Sequence, residues 1–555
     1  MRQAPACACG SWQLSMWLSS TLENMGLVSM MKARLGAVLA PILGLALATA
    51  ADAQTPKSGG TLTFAVTAEA PTFDCHATTT YAAIHVLAPH YSLLVKIDQH
   101  EYPTVKPDLA ESWTLSPDGL TYTFKLRSGV VFHDGAPMTS ADVKASLDRI
   151  RKPPQGVVSV RKAAFEDIAD VTAPDPATVV ITLKQPDTQF LDLLALPFNC
   201  IYRAEKLAED PQFPAKNILG TGPFVATEHV AGSHFLGKRF DRYFEKGKPY
   251  LDGFKAQLMK AAALGPGFQG GQIQAEFRSI TPAEHERLSK AMGDKIVTQE
   301  SPWLCKVEMM FNTERKPFDD PKVRQAISMA IDRWGGSDAL SKISILKAVG
   351  GPLRPGNAYA LSSDELAKLP GFRRNAEAER AAARKMLEDA GVKDLKFKLT
   401  NRNVSQPFTP AGVYVVDQMR RIGVTAEHVQ MDVSTQKKSI AAGDYDVALD
   451  GFCGDNEDPR PILLAYLSKS RSPRNMSRNE APEVDALFDK YKAARTAEEQ
   501  KAIAGDVQRA IINGSYSVPV LWYNRIVAHV SAVKGWKITP SHFVGQNLAD
   551  VWLDQ

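Results

Sequence analysis

The chain has 555 residues, of which 44% are apolar and 23% charged. At ~100–200 residues per domain this is two or more domains, and the proportions exclude a disordered, collagen-like or polytopic membrane chain. Sixty-five basic against 61 acidic residues leave a net charge of +4, too small an excess for an electrostatic case for nucleic acid.

The N-terminus reads as an address. Met31-Lys32-Ala33-Arg34 precedes an apolar run from Leu35 to Ala50, and Ala51-Asp52-Ala53 follows before Gln54. A basic segment, a short apolar segment and an A-x-A site describe a cleavable secretory signal. The run is too short for a good membrane span. Residues 1–30 fit no signal pattern, so the expected start is Met31, with the upstream piece an extension. Cleavage after residue 53 would give an exported chain starting at Gln54, with no Cys there to carry a lipid. Residues 1–53 hold three basic residues (Arg2, Lys32, Arg34) and two acidic ones (Glu23, Asp52), so the remainder carries +3. It also keeps four cysteines, Cys75, Cys200, Cys305 and Cys453. An exported compartment permits disulfides, and four cysteines allow three full pairings, among which sequence does not choose. Their wide spacing fits no short-spaced zinc site.

Strand patterns follow. Residues 59–66 alternate as a strand should, and so do Leu120 to Leu126 after the turn Ser116-Pro117-Asp118-Gly119. Thr178 to Leu183 is a β-branched run. Helices lie between. Thr139 or Ser140 can cap one over Asp142 to Ile150. Glu377 to Ala390 predicts another, ended by Gly391, with Arg384–Glu388 and Lys385–Asp389 at i,i+4. Strands and helices mix throughout, which sets the class as α/β. No flexible linker separates the parts, so two lobes would be joined by strands that cross between them. Gly265-Pro266-Gly267-Phe268-Gln269-Gly270 matches a dinucleotide fingerprint only in form, because no clear strand precedes it and Pro266 is poor at that turn. His76, His85 and His90 form no helical metal pair. No nucleophile sits in an activating motif.

Several blocks, in order, resemble one family. They are Lys106-Pro107-Asp108-Leu109-Ala110-Glu111-Ser112-Trp113; Phe124 to Gly135 with Thr139 to Val143; Gly220-Thr221-Gly222-Pro223-Phe224; Lys248 to Gly253; Phe311-Asn312 with Pro317 to Arg333; and Asp444-Tyr445-Asp446 leading to Gly454-Asp455-Asn456-Glu457-Asp458-Pro459. Together they resemble the extracytoplasmic solute-binding proteins of ABC importers, of the peptide, nickel and oligopeptide type. Each block also has a local reading as scaffold. Val323, Ile327, Ala330 and Ile331 share a helical face. Gly220 and Gly222 permit close backbone approach.

The resemblance implies a two-lobed periplasmic-binding-protein fold with hinge strands. Lobe I would take 54–90, 219–304 and 527–555, with an extra subdomain inserted at 91–218, and lobe II would take 305–526. It implies capture of a small ligand, a peptide first of all, between the lobes, and delivery to an inner-membrane ABC permease with separate ATPase subunits. Opines, short oligosaccharides and metal chelates are alternatives within the family. The expected location is the periplasm, and no cofactor, protein-bound metal or catalysis is implied. The run at 454–459 closely resembles the Gly-Asp-Asn-Gly-Asp-Pro of dipeptide-binding proteins. There the first Asp holds the ligand's ammonium, so Asp455 is the candidate here, beside Phe452 and Asn456. Arg402 lies where such proteins carry an Arg for the ligand carboxylate. Trp522, in Leu521-Trp522-Tyr523-Asn524, would offer aromatic surface to the cleft, or else sit in a buried strand. The chain departs from the family with Phe452-Cys453 in place of a common Trp, with Glu457 in place of a spacer Gly, and with Trp334-Gly335-Gly336-Ser337 where a helix usually continues. A second functional class is a secreted hydrolase pairing Asp455 with Glu457 or Asp458.

Overall fold

The computed structural model describes residues 55–555; the signal segment and its cleavage site lie outside the described residues. Strand β1 is Thr61–Val66, followed by the short pair β2 (Val95–Ile97) and β3 (Val105–Pro107). Strands β4 (Ala110–Leu115), β5 (Thr121–Leu126), β6 (Ile168–Asp175) and β7 (Thr178–Leu183) form a separate antiparallel sheet in the order β4-β5-β7-β6. Then come β8 (Phe224–Val230), β9 (His234–Arg239), β10 (Gly253–Leu258) and β11 (Ala275–Glu276). The long strand β12 (Ile296–Phe311) precedes β13 (Leu346–Ala348), β14 (Lys396–Arg402), β15 (Thr425–Met431) and β16 (Val447–Cys453). A second long strand, β17 (Ser517–Val530), returns near the end of the chain.

These later strands and β1 join one large sheet, in the order β15-β14-β16-β12-β17-β11-β1-β10-β9-β8. Among the described residues its two halves meet only through β12 and β17. Those two pair from Ile296↔Val530 to Pro302↔Asn524, lose register, and pair again from Lys306↔Trp522 to Met310↔Ser517. Within that break β12 begins to pair β16, starting at Cys305↔Cys453. A break of this kind bends the strands locally, and it falls where the sheet passes from one lobe to the other. Pro302, which has no N–H for a ladder, marks its start.

Three buried apolar clusters account for the parts. One packs Val307, Met309, Phe311, Val323, Ile327 and Leu399 in the C-terminal half of the sheet. Another gathers Leu62, Phe64, Phe224, Phe254 and Val527 in the N-terminal half. A third fills the small sheet with Phe124, Phe132, Leu147, Phe165 and Ile181. Area removed from water at ~25 cal/mol per Å² is the main drive for each. Among the described residues no helix is long and apolar enough to cross a membrane.

Local chemistry explains the elements. Thr139 and Asp142 form a reciprocal capping box on the helix Ser140–Arg151. The helix Ala376–Asp389 ends before Gly391, whose φ is 69°. On it Lys385 pairs Asp389 at 3.2 Å, whereas Arg384 turns to the carbonyl of Arg421 rather than to Glu388. Gly222 lies so near the backbone of His90 and Tyr91 that a Cβ would come within 2.4 Å of the His90 carbonyl carbon. After the helix Pro321–Ala330, Asp332 caps a new helix, Arg333–Leu340, which absorbs the unusual Trp334 to Ser337 stretch. The cysteines pair as Cys75–Cys200 and Cys305–Cys453.

Candidate functional site

The loop 454–459 leaves the C-terminal end of β16, whose neighbour β14 runs parallel to it. Loops at the carboxyl ends of parallel strands are where open α/β sheets place ligands. The loop is anchored to the hinge: Gly454 donates to the Leu304 carbonyl at 2.8 Å, and Leu304 in turn donates to Pro540. Ser541 Oγ donates to the Asp455 carbonyl at 2.8 Å, tying the loop to the C-terminal segment of the chain.

Asp455 is half-buried, and no hydrogen bond reaches its carboxylate from the described residues. Burial pushes its pKa above the usual carboxylate range, while the charges of Arg161 and Arg474 pull the other way. A desolvated carboxylate with free lone pairs is a receptor for a cation. Phe452 is half-buried beside it. Arg474 stacks over its ring at 4.7 Å, and both residues line a cavity of about 280 Å³ with Glu308, Asp450, Cys453 and Ser517. Asn456 turns away: its Nδ2 donates to the Asp192 carbonyl at 3.2 Å and its Oδ1 accepts from the Asp458 N–H.

Two expected contacts lie behind this surface. Arg402 is ion-paired with Asp450, donates from Nε to Gln436 at 3.0 Å and stacks over Phe408. Trp522 is fully buried, and its indole N–H donates to the Gly351 carbonyl at 3.0 Å. It packs with Leu463, Tyr466 and Phe488, the buried-strand outcome for that aromatic run.

The acids that a hydrolase would pair with Asp455 are already bound. Glu457 accepts from Tyr102 Oη at 2.8 Å, from Arg354 at 2.6 Å and from Asn357 at 2.7 Å. Asp458 is held by Arg460 at 2.7 Å, and Arg460 also reaches Asp187 at 2.9 Å. These bonds form a seam between the segments around Tyr102 and Asp187 and the C-terminal half, with Gln189 donating to Tyr359 Oη at 2.7 Å. A second cavity, of about 680 Å³, opens along the seam beside Tyr102, Asp192, Asn357, Tyr359 and Glu457. In it the Asp192 carboxyl is pushed up to about 7 by burial first, then by Asp458, with Arg460 opposing. Arg161, Arg354 and Arg474 have no motif around them to single them out, and Arg460, next to the 454–459 run, reaches the distant Asp187 as well as Asp458.

Two halves hinged by two strands, with polar loops meeting at their seam, define a two-lobed ligand-binding protein. Residues 104–474 match the bacterial extracellular solute-binding proteins, family 5 (middle region), and the chain belongs to that family. The glutathione-binding protein GsiB of Salmonella typhimurium is 29% identical over 466 residues, covering 79% of this chain and 84% of the relative. The probable di/tripeptide-binding protein 5 of Pseudomonas aeruginosa is 27% identical over 514 residues, 87% and 94% of the two chains. Among solved structures, the ABC transporter substrate-binding protein CtaP of Listeria monocytogenes superposes with a TM-score of 0.78 at 25% identity, covering 90% of this chain and all of that one. The periplasmic binding protein DppA of Helicobacter pylori, solved with the peptide STSA, gives 0.74 at 24% identity over 90% and 99% of the chains.

Proposed function

We propose that this chain is the periplasmic receptor of an ABC importer, exported by its N-terminal signal, which closes its lobes on a small peptide and delivers it unchanged to a membrane permease driven by separate ATPase subunits. Lobe I comprises 54–90, 219–304 and 527–555 with the subdomain 91–218 inserted, and lobe II comprises 305–526. The observation that carries the reading is Asp455: a carboxylate at the seam, raised by burial, with no hydrogen bond to it from the described residues. An ammonium there gains charge-assisted hydrogen bonds in a site that closure dries. Phe452 flanks the ligand, Asn456 fixes the loop, and Arg402 braces β16 through Asp450. Relatives named for glutathione and for di- and tripeptides support a peptide.

The engagement of Glu457 and Asp458 by arginines favours binding over hydrolysis. Calorimetry with di- and tripeptides, followed by mass spectrometry of what is recovered, tests both points. Saturable heat with the peptide returned intact is expected. No binding at millimolar peptide would end the peptide reading, and time-dependent cleavage would end the receptor reading.

A further inference from the structure

We propose that the 680 Å³ cavity at the seam binds an organic cation, a guanidinium or a primary ammonium, with Asp192 as its counter-charge, so that the preferred guests are peptides carrying a basic side chain. This deepens the peptide reading above and rests on it. The cavity shares no lining residue with the 280 Å³ cavity at Phe452, and Asp455 borders neither.

Asp192 brings a carboxylate without a partner to this cavity. Its carbonyl accepts from Asn456 Nδ2 at 3.2 Å, but no hydrogen bond or ion pair reaches its side chain from the described residues. More acids than bases lie around it. Glu457, Asp458 and Asp187 disfavour its ionised form, and Arg460 opposes them. Arg460 is already divided between Asp458 at 2.7 Å and Asp187 at 2.9 Å, and Arg354 is taken by Glu457 at 2.6 Å. Four carboxylates, those of Asp187, Asp192, Glu457 and Asp458, thus face two guanidinium groups. Lys537 and His100 also border the cavity, but the Lys537 ammonium donates to the His100 carbonyl at 3.1 Å and pairs with no acid among the described residues.

The walls suit a cation as well. Tyr102 and Tyr359 both line the cavity and both feel the charge of Asp192. Their hydroxyls are engaged, Tyr102 with Glu457 at 2.8 Å and Tyr359 with Gln189 at 2.7 Å, which holds the rings in place. Aromatic faces beside a desolvated carboxylate attract an organic cation through the ring quadrupole and through charge. A small inorganic cation would need Glu457 and Asp458 as ligands, and the arginines already hold both. A guanidinium or primary ammonium needs only Asp192 and the rings. Arg354 makes a second demand on a guest. It is 6% exposed, lines the cavity and keeps an Nε with no partner, a donor for a carbonyl oxygen of a bound chain. Asn456 follows Asp455 in the chain, so its bond to Asp192 sets the cavity beside the Asp455 loop. A guest whose ammonium lies on Asp455 can then extend its second side chain toward Asp192.

The test titrates the full chain by calorimetry with Ala-Arg and with Ala-citrulline, whose urea side chain has the same shape and no charge. Ala-Arg should bind about tenfold tighter or more, as one charge-assisted pair implies. In Asp192→Asn the ratio between the two should fall towards one without a lower melting temperature, and Asp192→Glu should keep part of it. Any contribution of Asp192 to closure is common to both guests and cancels in the ratio. In the native chain the preference should also grow between pH 5 and pH 8, as the Asp192 carboxyl, pushed up to about 7, gives up its proton. A preference that survives in Asp192→Asn, or one that does not change with pH, would overturn the assignment. If Ala-citrulline binds the native chain as tightly as Ala-Arg, the peptide reading stands and this inference alone falls. If neither of them nor any ordinary dipeptide binds, both fall.

Discussion

At Asp455 two effects compete. Burial disfavours the ionised carboxylate, and Arg161 and Arg474 favour it; burial is the larger. A ligand ammonium resolves the competition by supplying a close positive charge with hydrogen bonds. Asp455→Asn should therefore weaken an ammonium-bearing peptide by about 2–5 kcal/mol, roughly 30- to 1,000-fold or more. Calorimetry reads this directly, and a loss below threefold would show that the ammonium sits elsewhere. A second residue-scale prediction concerns packing alone. Gly222→Ala would drive a Cβ into the His90–Tyr91 backbone, at 2.4 and 2.5 Å from its atoms. That backbone cannot move aside as a side chain would, so a destabilisation of about 1–3 kcal/mol or more is expected from denaturant unfolding. An unchanged midpoint would contradict it.

At the scale of elements, β12 carries the crossing between the halves of the sheet and β16 leads into the loop 454–459. The disulfide Cys305–Cys453 ties them at the register break, closing 148 residues of sequence separation. Substituting both cysteines with Ala should lower stability by roughly 2–5 kcal/mol and loosen the loop that begins at Gly454. The seam adds a pH dependence. Asp192 titrates at about 7 with the lobes in contact, against ~4 for a free Asp. Its closed-state pKa is raised, so its favourable contribution to closure is full below ~4 and is lost as pH rises through about 7. Peptide affinity of the native chain relative to Asp192→Asn should therefore fall, on the order of 100-fold, between pH 5 and pH 8. A ratio independent of pH would contradict the role given to the seam.

Across the whole molecule, what could be read from sequence was what is local. Alternation placed β1 and β5, a β-branched run placed β7, a capping Thr or Ser at 139–140 placed the helix that follows, and Gly391 placed a helix end. The loop at 454–459 was legible because its run of residues is specific. Its partners were not. Tyr102 and Glu457 are 355 residues apart, and no periodicity links them. Arg402 and Trp522 show the converse. A guanidinium in a short motif, or an aromatic in a strand, looks the same from sequence whether it faces a cleft or a neighbouring chain segment. Only the positions of Asp450 and Gly351 decide which.

Hinge closure on a guest is a known mode of binding-protein motion, and here it requires β12 and β17 to bend at their shared break. Small-angle scattering of the chain with and without saturating peptide tests this most directly. The account predicts that the radius of gyration falls on addition of peptide, as the Tyr102–Glu457 and Arg460–Asp187 bonds bring the lobes together, and that Asp455→Asn shows no such fall at the same concentration. A radius unchanged by a peptide that calorimetry proves to be bound would contradict closure and the account built on it.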